Sequence, residues 1–289
     1  RQHHARLSGL QPGTLHCYEV RDSSGARLFG PAGFRTAPAA DDTTARVSLI
    51  ALGDSGGGGA DQRAVAAQLE TVPHELMLHV GDVAYNDATL PELESNHFAI
   101  YRELASAIPL FAAIGDHDDS TDHAGPFREV FGRPRYYSFD WGPVHVLVLD
   151  AGGGGSAQRE FAERDLASTD RRWKIVITHE PPYSSGFHGS SSSMRRDYVP
   201  LFERHGVQLV LSGDDHDYER SIPIAGVTYV VTGGGGRSVR PVDRSDWTAF
   251  SAMAFHFVHI DVDGDVMRVR AIDATGREFD GVEIPRERG

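Results

Sequence analysis

Acidic and histidine residues recur directly after the apolar runs of this 289-residue chain. Each run has the length and composition of a buried strand, and each ends in residues that can bind a metal or transfer a proton. Any one of them could be a helix cap or a turn residue. Five strand ends in a row are harder to explain by capping. The residues are Asp54, Asp82, 116–118 (Asp-His-Asp), His179 and 214–217 (Asp-Asp-His-Asp).

Neighbouring strands of a sheet lie about 4.8 Å apart, so side chains at their ends can converge on one point. Carboxylates packed that closely repel one another unless cations neutralise them. The pattern therefore predicts a metal centre, in which two ions share a bridging carboxylate.

Short apolar runs alternate with helical patterns from residue 47 onward, which predicts an α/β fold. The helical patterns cover residues 60–71, 91–107, 156–168 and 194–205, and residues 255–273 read as a hairpin around Asp263 and Gly264. The predicted strands are VSLIALG (47–53), ELMLHVG (75–81), LFAAIG (110–115), VHVLVLD (144–150), KIVITH (174–179), VQLVLSG (207–213) and VTYVVTG (227–233).

The first part of the chain follows a different pattern. Residues 5–37 alternate polar and apolar side chains around two turn signals, which predicts two or three antiparallel strands. We therefore divide the chain into a β region (1–38), a linker (39–46) and a larger domain (47–289).

Three runs of four glycines follow predicted strands, at 56–59, 152–155 and 233–236. None has the spacing of a phosphate-binding P-loop, and no Gly-Lys-Ser/Thr sequence is present. We interpret them as places where the backbone approaches a shared crevice closely, since ligands of open α/β sheets bind at the carboxyl ends of strands.

The net charge of −13 argues against a nucleic-acid or anionic-membrane surface, since either would repel the protein. No apolar stretch approaches the roughly 18 residues of a membrane span, and the sequence shows no signal peptide. The single cysteine, Cys17, excludes an internal disulfide.

Five short blocks, in order, resemble the motifs of the purple acid phosphatases, within the calcineurin-like metallophosphoesterases. They are GDSG, GDVAY, GDHD, VITH and GDDHDYER. Gly56 strengthens the resemblance, because other metallophosphoesterases place a ligand histidine there and the purple type uses a tyrosine elsewhere, here Tyr85. The resemblance implies an αββα sandwich, with the N-terminal strands as part of a fibronectin-type β appendage.

The resemblance also implies a ligand set. Fe(III) at the first site would be held by Asp54, Asp82, Tyr85 and His216. A divalent ion (Mn, Fe, Zn or Mg) at the second would be held by Asp82, Asp116, His179 and Asp214.

The implied reaction is hydrolysis of small-molecule phosphate esters by a metal-bound hydroxide. His117 would contact the phosphate, and His188 is a candidate proton donor, although the following serine-rich segment is equally typical of an exposed loop. The resemblance favours a secreted or periplasmic protein.

Two ligands depart from the family pattern, and both belong to the second metal. Asp116 stands in place of Asn and Asp214 in place of His, which adds two negative charges to the centre. A less positive centre attracts phosphate less strongly, and oxygen ligands favour Mn(II) or Mg(II) over Zn(II). We interpret the second site as altered but working. The alternative is a degenerate, weakly metallated fold that acts as a binding or scaffold protein.

The remaining histidines are assigned structural roles. We expect His79 and His145 to be hydrogen-bonded core residues, and His256 and His259 to belong to the final hairpin. We expect surface positions for His74, His97, His123 and His205.

Overall fold

A computed structural model of the protein describes residues 3–42, 44–150, 152 and 155–286. In chain order its strands are β1 (Leu15–Arg21), β2 (Arg27–Arg35), β3 (Val47–Leu52), β4 (Leu76–His79), β5 (Leu110–Ala112), β6 (Tyr137–Trp141), β7 (Val144–Val148), β8 (Trp173–Ile177), β9 (Leu209–Ser212), β10 (Tyr218–Ser221), β11 (Thr228–Thr232), β12 (Thr248–Ala252), β13 (His256–Asp263), β14 (Val266–Asp273) and β15 (Glu278–Pro285). Its helices are α1 (Ala60–Leu69), α2 (Leu90–Leu93), α3 (Arg102–Ala107), α4 (Asp116–Asp119), α5 (Gly125–Phe131), α6 (Gly155–Ser168), α7 (Ser192–Asp197) and α8 (Val199–Arg204). A π-helical turn covers Glu94–Phe98.

Two large sheets carry the fold. One has the strand order β15-β14-β13-β3-β4-β5, and the other has the order β12-β10-β11-β9-β8-β7-β6. In the first sheet β3, β4 and β5 are parallel. In the second β7, β8, β9 and β11 are parallel. Parallel neighbours end at the same edge of their sheet, so each sheet gathers the loops that follow these strands.

The two sheets pack face to face, and period-two alternation decides which side chains enter the space between them. In β3, Leu49 and Ala51 belong to the core between the sheets, whereas Ile50 and Leu52 face the side that carries α1 and the residues around α3. All four are fully buried. Full burial of one leucine or isoleucine side chain contributes about 1.5 to 3 kcal/mol.

Helices cover the outer face of the second sheet as well. Leu147 of β7 and Val176 of β8 pack with Ala162 and Leu166 of α6, and with Phe202 of α8. Helices therefore lie outside both sheets, and the predicted αββα sandwich is confirmed.

Each of the seven apolar runs predicted as strands overlaps an observed strand, and the predicted hairpin is β13–β14. The prediction missed β6, β10, β12 and β15. Two of these sequences, YERS of β10 and TAFSA of β12, are short and rich in polar residues, so they lack the apolar run of a typical buried strand. Their pairing depends on the sheet that they join.

Two predicted helices are interrupted. Residues 91–107 divide into the end of α2, the π-helical turn and α3. Residues 194–205 divide at Tyr198 into α7 and α8, with Pro200 in the first turn of α8. Proline has no backbone N–H, so it cannot continue the hydrogen-bond ladder of the preceding helix.

The N-terminal region is a two-stranded antiparallel hairpin, β1–β2, within the described residues. The Tyr18 hydroxyl donates to the Ser106 carbonyl at 2.7 Å, and Ala37 packs against the core between the sheets. The appendage is present as predicted. Its fibronectin-type identity and the boundaries 1–38, 39–46 and 47–289 remain predictions.

Four histidines have the structural roles that the sequence predicts. His79 lies 2.9 Å from the Ser55 hydroxyl, and His145 lies between Asp140 and Asp165. In β13, His256 and His259 are fully buried and bonded to the surrounding chain.

The surface prediction is wrong for His97, which is 1% exposed. It belongs to the π-helical turn and packs against the rings of Phe98, Tyr101 and Phe131. Burial lowers the pKa of His97 to about 3, so the ring is neutral in the folded protein.

No helix in the described part of the chain is both long and apolar enough to cross a bilayer.

Candidate metal centre

The predicted ligands lie at the edge where the parallel strands of both sheets end. Asp54, Asp82 and Asp116 follow β3, β4 and β5 of one sheet, and His179 and the segment 214–216 follow β8 and β9 of the other. The two sheets therefore deliver carboxylates and imidazoles to one crevice from opposite sides.

The turns that deliver three of the aspartates have an unusual backbone. Asp54, Asp82 and Asp214 have φ angles of 55°, 57° and 67°, in the left-handed region. Aspartate tolerates this region better than most residues do, and such conformations concentrate at functional sites. The left-handed turn ends the strand sharply at the crevice.

Close backbone approach explains two glycines in the motifs. A Cβ on Gly56 would lie 2.2 Å from the Val83 carbonyl oxygen, and one on Gly213 would lie 2.4 Å from the Asp54 Oδ2 atom. The run 233–236 packs in the same way, since a Cβ on Gly233 would lie 2.2 Å from the Asp215 carbonyl oxygen. Residues 153 and 154 of the remaining run lie outside the described residues.

Asp54, Tyr85 and His216 form the first group of donors. The Tyr85 hydroxyl donates to Asp54 Oδ1 at 3.1 Å and lies 3.3 Å from His216 Nε2. His216 Nε2 in turn lies 3.4 Å from Asp54 Oδ1. The three donor atoms thus form a triangle of the size that one ion requires.

Asp82, Asp116, His179 and Asp214 form the second group. His179 Nε2 lies 3.1 Å from Asp116 Oδ1 and 3.5 Å from Asp82 Oδ1. Ligand atoms of Asp116, His179 and Asp214 lie within 4.8 Å of one another, as do those of Asp54, Asp82 and His179. Asp82 therefore lies between the two groups, where a bridging ligand belongs.

Both histidines present Nε2 to the centre while Nδ1 is held from behind. His179 Nδ1 lies 3.0 Å from the Val80 carbonyl oxygen, and His216 Nδ1 lies 2.6 Å from the Ser238 hydroxyl. A hydrogen bond of this kind fixes the ring orientation of metal-binding histidines. The donor set fits a metal centre by this criterion.

The electrostatics of the cluster favour a cation. Burial, and then the charges of Asp54 and Asp82, raise the pKa of Tyr85 well above its ordinary value. Burial lowers the pKa of His179, but the charge of Asp82 and the hydrogen bond to Asp116 outweigh it and raise this pKa. A phenolate therefore forms here only beside a strong cation.

The two altered ligands differ in their surroundings. The Asp116 side chain is 71% exposed, and its hydrogen bond with His179 lowers the pKa of the carboxyl to about 2. The Asp214 side chain is 21% exposed, and burial raises its pKa to about 6. The fold thus holds Asp214 in the crevice more closely than Asp116.

The centre opens into a cavity of 420 Å³. The side chains that line it are Asp82, Tyr85, Asp116, His117, His188, Asp214, His216, Arg237, Ser238 and Arg240. The ring of His117 packs on that of Tyr85 with centroids 4.4 Å apart, and its backbone N–H donates to Asp82 Oδ1 at 3.1 Å. His117 thus lies between the donors and the open cavity.

His188 lies at the mouth of this cavity. Its Nδ1 atom is 4.0 Å from Asp214 Oδ1, and its Nε2 atom accepts a hydrogen bond from Arg240 at 2.6 Å. Arginine cannot accept a hydrogen bond, so a neutral His188 carries its proton on Nδ1, facing Asp214.

Sequence reasoning missed Arg237, Ser238 and Arg240, which line the cavity. It noted Asp215 only within the segment 214–217 and did not predict that Asp215 holds the loop of His188. The sequence offered one signal that Arg237 lies near the site. Arg237 directly follows the third glycine run, which we interpret as approaching the crevice. The buried Asp215 carboxylate accepts the backbone N–H groups of His188 and Gly189 at 2.6 and 3.0 Å.

Comparisons with known proteins agree with this geometry. The calcineurin-like phosphoesterase family matches residues 47–218. Purple acid phosphatase 15 of Arabidopsis thaliana is 26% identical over 295 residues, covering 84% of this chain and 55% of the relative. Probable inactive purple acid phosphatase 27 of the same plant is 26% identical over 238 residues, covering 64% of this chain and 39% of the relative.

Among solved structures, purple acid phosphatase PPD1 from yellow lupin seeds superimposes with a TM-score of 0.86 at 22% identity, covering 97% of this chain and 61% of that one. The chain spans about half the length of the first curated relative that it matches. The predicted resemblance to purple acid phosphatases is confirmed. Because the matched segment covers more than half of its length, the chain belongs to the calcineurin-like phosphoesterase family.

Proposed function

We propose that the protein is a binuclear-metal phosphoesterase that hydrolyses small-molecule phosphate esters. Its similarity to proteins named purple acid phosphatases supports this proposal. The observation that carries this proposal is the position of Asp82. Its carboxylate lies within 4.8 Å of ligand atoms from both donor groups, that of Asp54 in the first and those of Asp116 and His179 in the second. A carboxylate shared by two donor groups is the arrangement that a two-metal site requires.

Asp54, Asp82, Tyr85 and His216 would hold the first ion. Buried carboxylates and a phenol are hard oxygen donors, which suit Fe(III). Asp82, Asp116, His179 and Asp214 would hold a divalent ion, and three carboxylates with one imidazole favour Mn(II), Fe(II) or Mg(II) over Zn(II). When bound, the two ions supply Lewis acidity and lower the pKa of water to about 7.

The chain's own side chains orient the substrate and handle its protons. His117 lies over the Tyr85 ring at the floor of the cavity, where it can hold a phosphate oxygen. His188 holds a proton at Nδ1 toward the cavity, because its Nε2 atom accepts from Arg240. That proton is available to a leaving group at the mouth of the site.

The test is metal content measured together with turnover of an aryl phosphate. We expect two metal ions per chain and hydrolysis in the purified protein. Asp82→Asn should lose both, since it removes the shared carboxylate, whereas the exposed Asp243→Asn should lose neither. Wild-type protein that takes up no metal from an iron and manganese solution would overturn the proposal.

The same sample tests the iron site. Iron held by Tyr85 should give a visible absorption band in the oxidised protein, and Tyr85→Phe should abolish the band. Colour that survives this substitution would show that the tyrosine is not a ligand.

A second candidate is a binding or scaffold protein with a weak metal site. The observation that favours it is the Asp116 side chain, which is 71% exposed and so is loosely held. A relative is named probable inactive purple acid phosphatase 27. One metal ion or none, without turnover, would support this candidate.

A further inference from the structure

One side chain of α7 joins the two ends of the segment that carries His188. This segment, residues 180–191, runs from His179 to the start of α7 and is termed the His188 loop. The Arg195 Nε atom donates to the Pro182 carbonyl oxygen at 2.8 Å, near the start of the loop. Its Nη2 atom donates to the Ser190 hydroxyl at 3.0 Å, near the end. Arg195 thus bridges the loop, and His188 lies inside the bridged segment.

Two aromatic rings fix the plane of the Arg195 guanidinium. The guanidinium carbon lies 4.1 Å from the centroid of the Tyr183 ring and 4.6 Å from that of the Trp247 ring. The two rings contact each other, with centroids 5.5 Å apart. A guanidinium is planar and its donors have a fixed spacing, so this stacking sets the directions of its N–H groups. A rigid group therefore sets the distance between Pro182 and Ser190.

Arg195 has no carboxylate at ion-pair distance within the described part of the chain. That is unusual for a half-buried arginine in a chain with 41 acidic and 28 basic residues. Arg196, the next residue, pairs with Asp197 at 2.6 Å. Because the hydrogen bonds of Arg195 go to two groups of one loop, its contacts indicate that it orders the loop rather than neutralising an acidic group.

The bonds inside the loop transmit this order to His188. The Ser190 hydroxyl accepts the backbone N–H of Ser184 at 3.0 Å and donates to the Ser184 carbonyl oxygen at 3.2 Å. The Asp215 carboxylate accepts the backbone N–H groups of His188 and Gly189. Asp215 therefore holds the tip of the loop, and Arg195 closes its base through Ser190.

We propose that Arg195 is a positioning residue for His188. It sets the place from which the imidazole gives a proton to the leaving group, without touching the substrate itself. Arg195 is not among the side chains that line the 420 Å³ cavity, so it reaches the reaction only through the loop. This inference rests on the proposed function, because it assumes that His188 is the proton donor.

The role predicts a dependence on the leaving group. As the bond from phosphorus to the leaving oxygen breaks, that oxygen takes the electron pair and then the proton from His188. A nitrophenolate leaves readily without a proton, whereas an alkoxide does not, so proton donation matters more for an alkyl ester. A reacting group that is misplaced by about 1 Å can cost roughly 100-fold in rate. Loss of the Arg195 bridge should therefore slow alkyl esters selectively, while a general loss of structure would slow all esters alike.

The test compares ethyl phosphate with 4-nitrophenyl phosphate at saturating concentration on metal-loaded protein. Arg195→Gln should lower kcat for ethyl phosphate by roughly 10- to 100-fold, and for 4-nitrophenyl phosphate much less. Arg195→Lys keeps the charge but has no planar pair of donors, so it should show the same selective loss. Thermal melting and metal content check that each variant is folded and still binds its ions.

Arg196→Gln is the matched control, since Arg196 is exposed, belongs to the same helix and makes no printed contact with the loop beyond its pair with Asp197. It should leave both rates unchanged. A double variant adds a second check. In a His188→Gln background, Arg195→Gln should cause little further loss for ethyl phosphate, because residues that act as a unit are not additive.

The outcomes separate the two proposals. If the wild type hydrolyses both esters while the Arg195 variants lose both rates equally, or lose neither, the positioning role is overturned and the proposed function is not. A full additional loss in the His188→Gln background overturns the positioning role in the same way. Metal-loaded wild type that hydrolyses neither ester overturns the proposed function together with this inference.

Discussion

At the scale of single residues, the second donor group depends on how firmly the chain holds each carboxylate. Asp116 lies at the start of α4 with a side chain that is 71% exposed. Asp214 lies in a left-handed turn, and its backbone N–H donates to Asp54 Oδ2 at 3.2 Å. The backbone of Asp214 is thus hydrogen-bonded to Asp54 of the first donor group. Among the described residues, Asp116 has no such bond to that group.

We expect the double substitution Asp116→Asn and Asp214→His to change which metal the second group prefers. The change removes two negative charges and replaces one carboxylate by an imidazole, so zinc should displace manganese as the preferred ion. Inhibition by inorganic phosphate should also tighten, because the anion meets a more positive centre. Competitive metal loading and an inhibition series measure the two effects.

Each single substitution serves as a control for the other. Asp214→His alone should have the larger effect, since Asp214 is held more closely in the crevice. A double variant with unchanged metal preference and unchanged phosphate inhibition would show that neither residue contacts the second ion.

At the scale of elements, the loop between β8 and α7 carries His188, which lines the cavity of the candidate metal centre. Asp215 is fully buried, and its carboxylate accepts the Ser184 hydroxyl and two backbone N–H groups, those of His188 and Gly189. Glu219 accepts the backbone N–H of Ser185 at 2.6 Å. The serine-rich sequence is typical of a mobile loop, but these bonds fix its first half against β9 and β10.

We therefore expect Asp215→Asn to loosen residues 184–189. The amide offers one acceptor where the carboxylate offers two, so a backbone N–H loses its partner at a cost of about 1 to 3 kcal/mol in the free energy of unfolding. Urea unfolding measures this loss, and hydrogen exchange should show faster exchange at His188 and Gly189. The exposed Asp246→Asn is the control. Unchanged exchange in the loop would mean that Asp215 does not hold it.

At the scale of the whole molecule, one charge cluster joins the second sheet to its covering helix. His145 of β7 lies 2.7 Å from Asp140 of β6 and 2.8 Å from Asp165 of α6. Burial lowers the pKa of His145, but the hydrogen bonds and charges of Asp165 and Asp140 outweigh it and raise this pKa. The protonated form is therefore favoured in the folded state over the unfolded state.

This sets the direction of a pH effect on stability. Because the pKa of His145 is raised on folding, its protonated form stabilises the folded protein. The contribution is complete when the pH is below the pKa of the unfolded state, about 6.5, and it is lost as the pH rises through the pKa of the folded state. His145→Gln should therefore lower the free energy of unfolding by about 1 to 3 kcal/mol at pH 5.5, and by less at pH 9. Urea unfolding at both pH values measures it, with the exposed His123→Gln as control. An equal loss at both pH values would show that His145 contributes packing and no charge.

The local sequence was enough to predict the strand ends and the residues that follow them. Apolar runs of strand length mark β3, β4, β5, β8 and β9, and the acidic or histidine residue comes next in the chain, so spacing alone locates the donors. The helices were predicted less well, since Pro200 and the π-helical turn interrupt patterns whose periodicity continues through them.

Only the tertiary structure decided what surrounds the donors. His97 follows the polar residues Ser95 and Asn96, as a surface residue would, but Phe131, which lies far along the chain, packs on its ring together with Phe98 and Tyr101. Arg237 meets Asn86 across 151 residues, and Arg240 meets His188 across 52. Such contacts have no periodicity or local propensity to reveal them, because they depend on how the two sheets bring separate loops together. The sequence therefore determines the candidate metal donors, and the packing of the sheets determines which charged side chains line the cavity beside them.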